Sequence, residues 1–253
     1  MTSSTYRIGQ IVPSSNITME TEVPAMLRAR EAIYPERFTF HSARMRMQKV
    51  TQEELKAMDG QSLRCAVELA DARVDVMGYA CLVAIMSMGH GYHRQSEVNL
   101  AKAASQSGAS IPIVTSAGAL IDGLKALGAR RIAIVTPYMR ALTELVVDYI
   151  EGEDIEVVDS LALEIPDNLE VGERDPMDLI TDVERLNVNG AEAVVLSACV
   201  QMPSLGAIPI VEDMLGLPVT SASVCTTRKM LEALKLRPVV PGAGALLSSD
   251  LDR

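Results

Sequence analysis

The 253-residue sequence has no excess of positive charge: 23 Lys and Arg face 33 Asp and Glu, for a formal net charge of -10. A nucleic acid or an anionic membrane needs clustered Lys and Arg to neutralise its phosphates, so neither is an expected partner. No apolar run is long enough to cross a bilayer. The most apolar window, 76–89, is broken by Gly78, Tyr79 and Ser87 and falls well short of the roughly 18–20 residues a span requires. The opening MTSSTYRIGQIVP has no basic segment followed by an apolar stretch and a small-residue cleavage site, so no secretory signal is expected. Cysteine is sparse. Four residues, Cys65, Cys81, Cys199 and Cys225, form no CxxC pair, which fits free thiols in a reducing cytoplasm better than a disulfide scaffold. Histidine is sparser still. His90 and His93 in GHGYH are three apart but lack a companion carboxylate or third ligand, so no zinc site is expected. PGAGA at 241–245 neither follows an expected strand nor opens a helix with a downstream acid, so it is no dinucleotide fingerprint. Nothing requires a metal or a cofactor.

What is present is an α/β pattern, with short apolar, β-branched runs alternating with longer amphipathic segments, as in parallel sheets flanked by helices. Strands are expected over 6–12, 37–45, 74–79, 111–114, 131–136, 155–163, 192–196 and 218–220. Helices are expected over 19–30, 52–70, 93–107, 117–127, 138–150, 176–186 and 223–234, several bounded by Ser, Thr, Pro or Gly. Eight strands exceed what one small domain usually holds.

The two halves also repeat each other. RIGQIVP at 7–13 matches RIAIVTP at 131–137, VDVMGYAC ending at Cys81 matches AEAVVLSAC ending at Cys199, and IPIVTSAGAL at 111–120 matches LPVTSASVC at 217–225. Three matches in the same order indicate a duplicated domain rather than a short solenoid unit. The expected architecture is two pseudo-symmetric lobes, 1–115 and 116–220, each a parallel sheet flanked by helices, with a site in the cleft between them. Residues 221–253 form a C-terminal helix and tail expected to pack back on the first lobe.

Open α/β sheets bind ligands at the carboxyl ends of their strands, and both repeated cysteines follow a strand. Two facing lobes would point Cys81 and Cys199 into one cleft from opposite sides. Such a pair can act as acid and base, or as nucleophile and acid, provided one sulfur is a thiolate. No Lys or Arg lies within several residues of either, so backbone N–H groups or a helix N-terminus are expected to lower the thiol pKa. Cys65, inside the helical SLRCAVELA, and Cys225, aligned with Leu120, read as packing. Other strand ends carry Ser14, Ser15, Asn16, Ser116, Tyr138 and Ser221, with Asn168 in the loop IPDNLEVG. These are neutral donors suited to carboxylates, although Ser and Asn at such places also serve as helix caps.

The paired motifs GYACLVA and LSACVQM, the opening RIGQIVPSSN and the tail VVPGAGALL together resemble the bacterial maleate cis-trans isomerases of the aspartate/glutamate racemase superfamily, over nearly the whole chain. The resemblance implies a cofactor-independent conversion of maleate to fumarate in nicotinate degradation. It implies Cys81 as the nucleophile that forms a succinyl thioether and Cys199 as proton donor and acceptor. Asn16, Tyr138 and Asn168 would hold the two carboxylates, aided by backbone donors at Leu82, Val83, Val200 and Gln201. A homodimer or a dimer of dimers is the implied assembly. The alternative is an amino-acid racemase using both cysteines as acid and base. Those enzymes typically carry Asp-Ser after the first strand, Cys-Asn-Thr at the first thiol and Cys-Thr at the second. Here those places read Ser15-Asn16, Cys81-Leu82-Val83 and Cys199-Val200, and the missing early carboxylate removes a partner for an ammonium group. Arylmalonate decarboxylases resemble the chain too but keep only the second thiol. A two-lobed binding protein for small acids would leave the duplicated cysteine unexplained.

Overall fold

A computed structural model describes residues 4–47, 50–108 and 110–251. In chain order the first half runs β1 (Thr5–Pro13), α1 (Met19–Arg30), β2 (Arg37–Met45), α2 (Gln52–Asp71), β3 (Val76–Tyr79), α3 (Leu82–Met86), α4 (Tyr92–Ala104), β4 (Ile113–Thr115) and α5 (Ser116–Ala126). The second half runs β5 (Arg131–Thr136), α6 (Arg140–Glu151), β6 (Glu156–Ala162), α7 (Asn168–Glu173), α8 (Asp178–Val183), β7 (Ala193–Ser197), α9 (Ile208–Leu215), β8 (Val219–Ser221) and α10 (Ala222–Ala233). All eight expected strands are present.

The strands form two four-stranded sheets of the same order, β2-β1-β3-β4 and β6-β5-β7-β8, and every pairing is parallel. Parallel strands covered on both faces need continuous rather than alternating apolarity. RIAIVT in β5 and AVVLS in β7 meet that need, being buried throughout apart from Arg131. The duplication extends to caps. Thr115 Oγ1 accepts from the Gly118 N–H at the start of α5, and Ser221 Oγ accepts from the Val224 N–H at the start of α10, each satisfying an orphan donor of the first turn. Ser221 therefore caps a helix, while Ser116 is fully buried as the first residue of α5.

Three helices fall outside the sequence expectation. LVAIM in α3 is apolar all round and lies inside the most apolar window, so it carries no period. NLEVGE in α7 is a single capped turn and a half, with the Asp167 carboxylate accepting from the Leu169 N–H at 2.8 Å. In α9, IPIVEDML has Pro209 in its first turn and stops at Gly216, whose φ of +64° is left-handed, the usual helix-ending geometry. The expected helix over 176–186 is shorter, and residues 105–107 form a 3-10 turn after α4.

The lobes meet along two seams. On one, α10 packs against α5 and α1, and the chain beyond it is held to α1 where Arg30 donates to the carbonyls of Arg237 and Val239 at 2.7 and 2.9 Å. On the other, α4 meets α6 and the turn after it. There His93 Nδ1 lies 2.6 Å from the Tyr149 hydroxyl, and Arg94 donates to both carboxylate oxygens of Glu153 at 2.7 and 2.6 Å.

Candidate active site

The carboxyl ends of β1, β3, β5 and β7 converge where the lobes face each other. A small cavity of about 20 Å3 is lined there by Cys81, Leu82 and Val83 after β3, and by Cys199, Val200 and Gln201 after β7. Asn16 from the β1 loop, Tyr138 from the β5 loop and Asn168 from the start of α7 complete it. All nine residues that the resemblance assigned to a site thus line one cavity, whereas Ser14, Ser15, Ser116 and Ser221, also offered as strand-end donors, do not line it. Sequence reasoning missed Pro13, Met47, Val50 and Ala80, which line it too. Pro13 ends β1 and Ala80 directly follows β3, both strands already expected to face the cleft. Met47 follows β2, the neighbour of β1, and the strand-end rule would have pointed to it. Ser14 pins it, its hydroxyl donating to the Met47 carbonyl at 3.1 Å and accepting from the Met47 N–H at 3.0 Å. A larger groove of about 720 Å3 shares Val50, Tyr138 and Asn168 with this cavity but contains neither cysteine. The chemistry therefore belongs to the smaller space.

The polar side chains that line the cavity beside the thiols, Asn16, Tyr138, Asn168 and Gln201, are neutral, while the Asp59 carboxylate acts on Cys81 from outside it. Asn16 accepts at Oδ1 from the N–H groups of Thr18 and Met19, at 3.1 and 3.0 Å, and so caps α1. Its Nδ2 donates across the lobes to the Val200 carbonyl at 3.2 Å. Asn168 Nδ2 donates to Ser15 Oγ at 2.7 Å. Each carboxamide retains one further N–H. The Tyr138 hydroxyl hydrogen-bonds the Cys199 sulfur, a partner the sequence reading did not give it. The Gln201 N–H donates to the same sulfur at 3.3 Å, so this backbone donor serves the thiol rather than standing free for a carboxylate.

The expected lowering of the thiol pKa by backbone N–H groups is present at both cysteines but is outweighed by burial. Burial pushes Cys81 up to about 12, against the Ala84 N–H that lowers it, and the nearby Cys199 sulfur raises it further. Burial also raises Cys199, opposed by Tyr138 and the N–H groups of Gln201 and Met202. The reason is that Cys81 and Cys199 are only 5% and 4% exposed, and removal from water disfavours the charged thiolate more than a few dipoles favour it. Desolvation is a property of the tertiary cleft and leaves no mark in the local sequence. Tyr138 is likewise driven well above the usual phenol range by burial and the adjacent sulfurs, so it acts as a donor.

Cys65 and Cys225 lie outside the cleft. Cys65 is buried on α2, and Cys225 on α10 packs beside Gly123 with its sulfur 3.3 Å from Thr220 Oγ1. His90 pairs with Asp148 and His93 with Tyr149. Among the described residues no group of three His, Cys, Asp or Glu could hold a metal ion, and no helix is long and apolar enough to cross a membrane.

A family model described as arylmalonate decarboxylase matches residues 8–247. A maleate isomerase from Pseudomonas putida is 63% identical over 243 residues, covering 96% of this chain and 97% of the relative. The crystal structure of a Pseudomonas putida maleate isomerase cysteine-to-alanine variant with maleate superposes with a TM-score of 0.96 at 63% identity, covering 98% of this chain and 99% of that one. A cysteine-to-serine mutant of the Nocardia farcinica maleate cis-trans isomerase, with a covalently bound succinylcysteine intermediate, superposes at 0.93 with 45% identity, covering 98% and 100%.

Proposed function

This chain belongs to the arylmalonate decarboxylase family and to the maleate isomerases within it, and from that premise we propose that its two-cysteine cleft converts maleate to fumarate through a covalent succinyl-cysteine. The observation that carries the assignment of roles is the meeting of Cys81 and Cys199, from equivalent strand ends of two equivalent lobes, in one cavity walled by neutral donors.

Rotation about the central bond of maleate is blocked until the π bond is removed. The Cys81 thiolate adds to one olefinic carbon, forming the S–C bond, and the π electrons move to the neighbouring carbon. Cys199 gives that carbon its proton and becomes the thiolate. The saturated bond then rotates, relieving the crowding of the two cis carboxylates. Cys199 takes a proton back, the double bond re-forms in the trans geometry and Cys81 leaves as a thiolate. Atoms and charge balance with one proton shared by the pair.

The uneven surroundings of the two sulfurs support this division. Cys199 accepts from Tyr138, Gln201 and Met202, so of the two it better bears the charge before attack. Withdrawing the Cys81 proton makes Cys81 the nucleophile and Cys199 the acid in one transfer. Burial then helps, because a poorly solvated thiolate is reactive and water is kept from the intermediate. Asn16, Asn168 and Tyr138, with backbone donors at Leu82, Val83 and Val200, hold the carboxylates and the charge that develops in the transition state.

The reading includes the lobes 1–115 and 116–220 with the tail 221–253, and the packing of α10 on α1 and β3 of the first lobe supports the placing of the tail. It also includes a cytoplasmic setting, supported by four unpaired cysteines, a homodimer or dimer of dimers, and a place in nicotinate degradation. The test is to incubate reduced protein with maleate in D2O without added cofactor and follow the vinyl protons by NMR. Fumarate is expected, and deuterium in the product reports exchange of the added proton with solvent. No reaction from folded, reduced protein overturns the assignment and moves the search to amino-acid racemisation.

A further inference from the structure

Gln201 is 3% exposed and its side chain reaches neither sulfur. Its Oε1 accepts from the Ile17 N–H at 3.0 Å. Its Nε2 donates to the Ser15 carbonyl at 2.9 Å and to the Asn168 carbonyl at 2.8 Å. Both amide protons are therefore spent on backbone, and no donor remains for a substrate. The bonds go to the two residues that flank Asn16 and to Asn168 itself. The main chain of Gln201 works in the same place: its carbonyl accepts from Thr18 Oγ1 at 2.5 Å, and its N–H donates to Cys199 Sγ. One residue thus joins the β1 loop of the first lobe, the start of α7 in the second, and a catalytic thiol.

Gly172 on α7 provides independent evidence. A Cβ there would lie 2.6 Å from Gln201 Nε2 and 2.8 Å from Ile17 Cγ1, closer than real Cβ atoms approach. The helix that begins with Asn168 can sit against the Gln201 amide only because this position has no side chain.

We infer that Gln201, through its side-chain amide, is the positioning residue that sets Asn16 and Asn168 at their mutual distance and in register with Cys199, with Gly172 as the notch that admits it. This rests on the reading above, in which the two asparagines hold the carboxylates of maleate. The preorganisation matters because two clamps from different lobes must meet one rigid dianion, and small misplacements of such groups cost large factors in rate.

The test is a double-mutant cycle on maleate turnover by the full chain. Gln201→Met keeps the size and removes all three side-chain bonds; Gly172→Ala leaves Gln201 intact and displaces it. Each is expected to raise KM for maleate by about tenfold or more and to lower kcat less, with the rate of thiol alkylation within about twofold of the parent. Asn168→Ala should be strongly damaging in the parent. In either background it should cost about threefold or less, because an asparagine already out of place has little left to lose. If Gln201→Met fails to fold, Gly172→Ala carries the cycle. Full additivity of Asn168→Ala with both variants overturns the inference and makes Gln201 a purely structural tie. A parent chain that leaves maleate unchanged overturns instead the functional reading beneath it.

Discussion

Cys81 and Cys199 leave the third strands of two sheets that share one strand order, yet their sulfurs meet different company. At Cys81 one N–H, from Ala84, opposes burial, and the pKa stands at about 12. At Cys199 a phenol and two N–H groups oppose it. Duplication supplied the pair and the surrounding loops told its members apart. The divergence lies mainly at the strand tips, where LVAIM continues as a helix after Cys81 while the N–H groups of Gln201 and Met202 turn to the Cys199 sulfur. The asymmetry is what allows one proton to be passed between two like groups in a set direction.

Removing either sulfur should have the largest effect. Cys199→Ala is expected to lower kcat by roughly 10²–10⁴-fold, the range for loss of a positioned acid and base. Intact mass of that variant soaked with maleate should show an adduct that vanishes when Cys81 is also replaced. A Cys81→Ala chain with full activity would break the proposed division of roles. Next comes Tyr138→Phe, which makes the surroundings of the two thiols more alike. Loss of one buried hydrogen bond to a charged sulfur corresponds to about 10–100-fold in kcat/KM. Since that bond lowers the Cys199 pKa, its removal raises it, and the rising limb of the pH–rate profile should move to higher pH. A limb that stays in place would mean that Cys199 is not the group titrating.

Much of this was legible in the sequence because duplication makes a signal of order and spacing. The run DVMGYA before Cys81 and the run AVVLSA before Cys199 each mark a buried parallel strand whose end must open on a cleft. Asn16, Tyr138 and Asn168 followed from the same rule. The rest depends on what neighbours do in three dimensions. Gln201 is one polar residue among many until Ser15, Ile17 and Asn168 are brought around its amide from 33 to 186 residues away. Met47 enters the cavity through the tertiary clasp with Ser14. The direction of the thiol shifts is set by burial, which no count of nearby Lys or Arg can reveal.

The lobes can also be compared where α5 and α10, equivalent helices, pack on each other. Gly123 on α5 is the close point: a Cβ would stand 2.7 Å from Cys225 Sγ and 3.1 Å from Leu246 Cδ2. Gly123→Ala should overpack this seam and lower stability by about 1–3 kcal/mol, with helix propensity offsetting part of the cost. It should leave kcat unchanged, since the seam lies away from the thiols. Thermal unfolding and turnover measured on the same sample check this, and a loss of turnover at full stability would couple the seam to the site.

The smallest effect concerns a carboxylate that one lobe has and the other lacks. Glu22 on α1 reaches into the second lobe, where Oε1 accepts from the N–H groups of Ser204 and Leu205 at 2.6 and 2.7 Å and Oε2 accepts from the Ser223 hydroxyl. In the repeat that aligns Arg7 with Arg131, the matching position is the fully buried Val146. Burial raises the Glu22 pKa above its ordinary value, and the three hydrogen bonds only partly oppose this. The folded state therefore binds the proton more tightly than the unfolded chain. Its stabilising effect is present in full below the ordinary carboxylate pKa and is lost as pH rises through the raised folded value. Glu22→Gln keeps an acceptor for the two N–H groups and cannot titrate, so it should lie within about 1 kcal/mol of the parent at neutral pH. On acidification from neutral, the parent should gain melting temperature relative to the variant. Melting curves of the two that stay parallel across this range would show that Glu22 titrates alike in both states, and that the lobes differ here in packing alone.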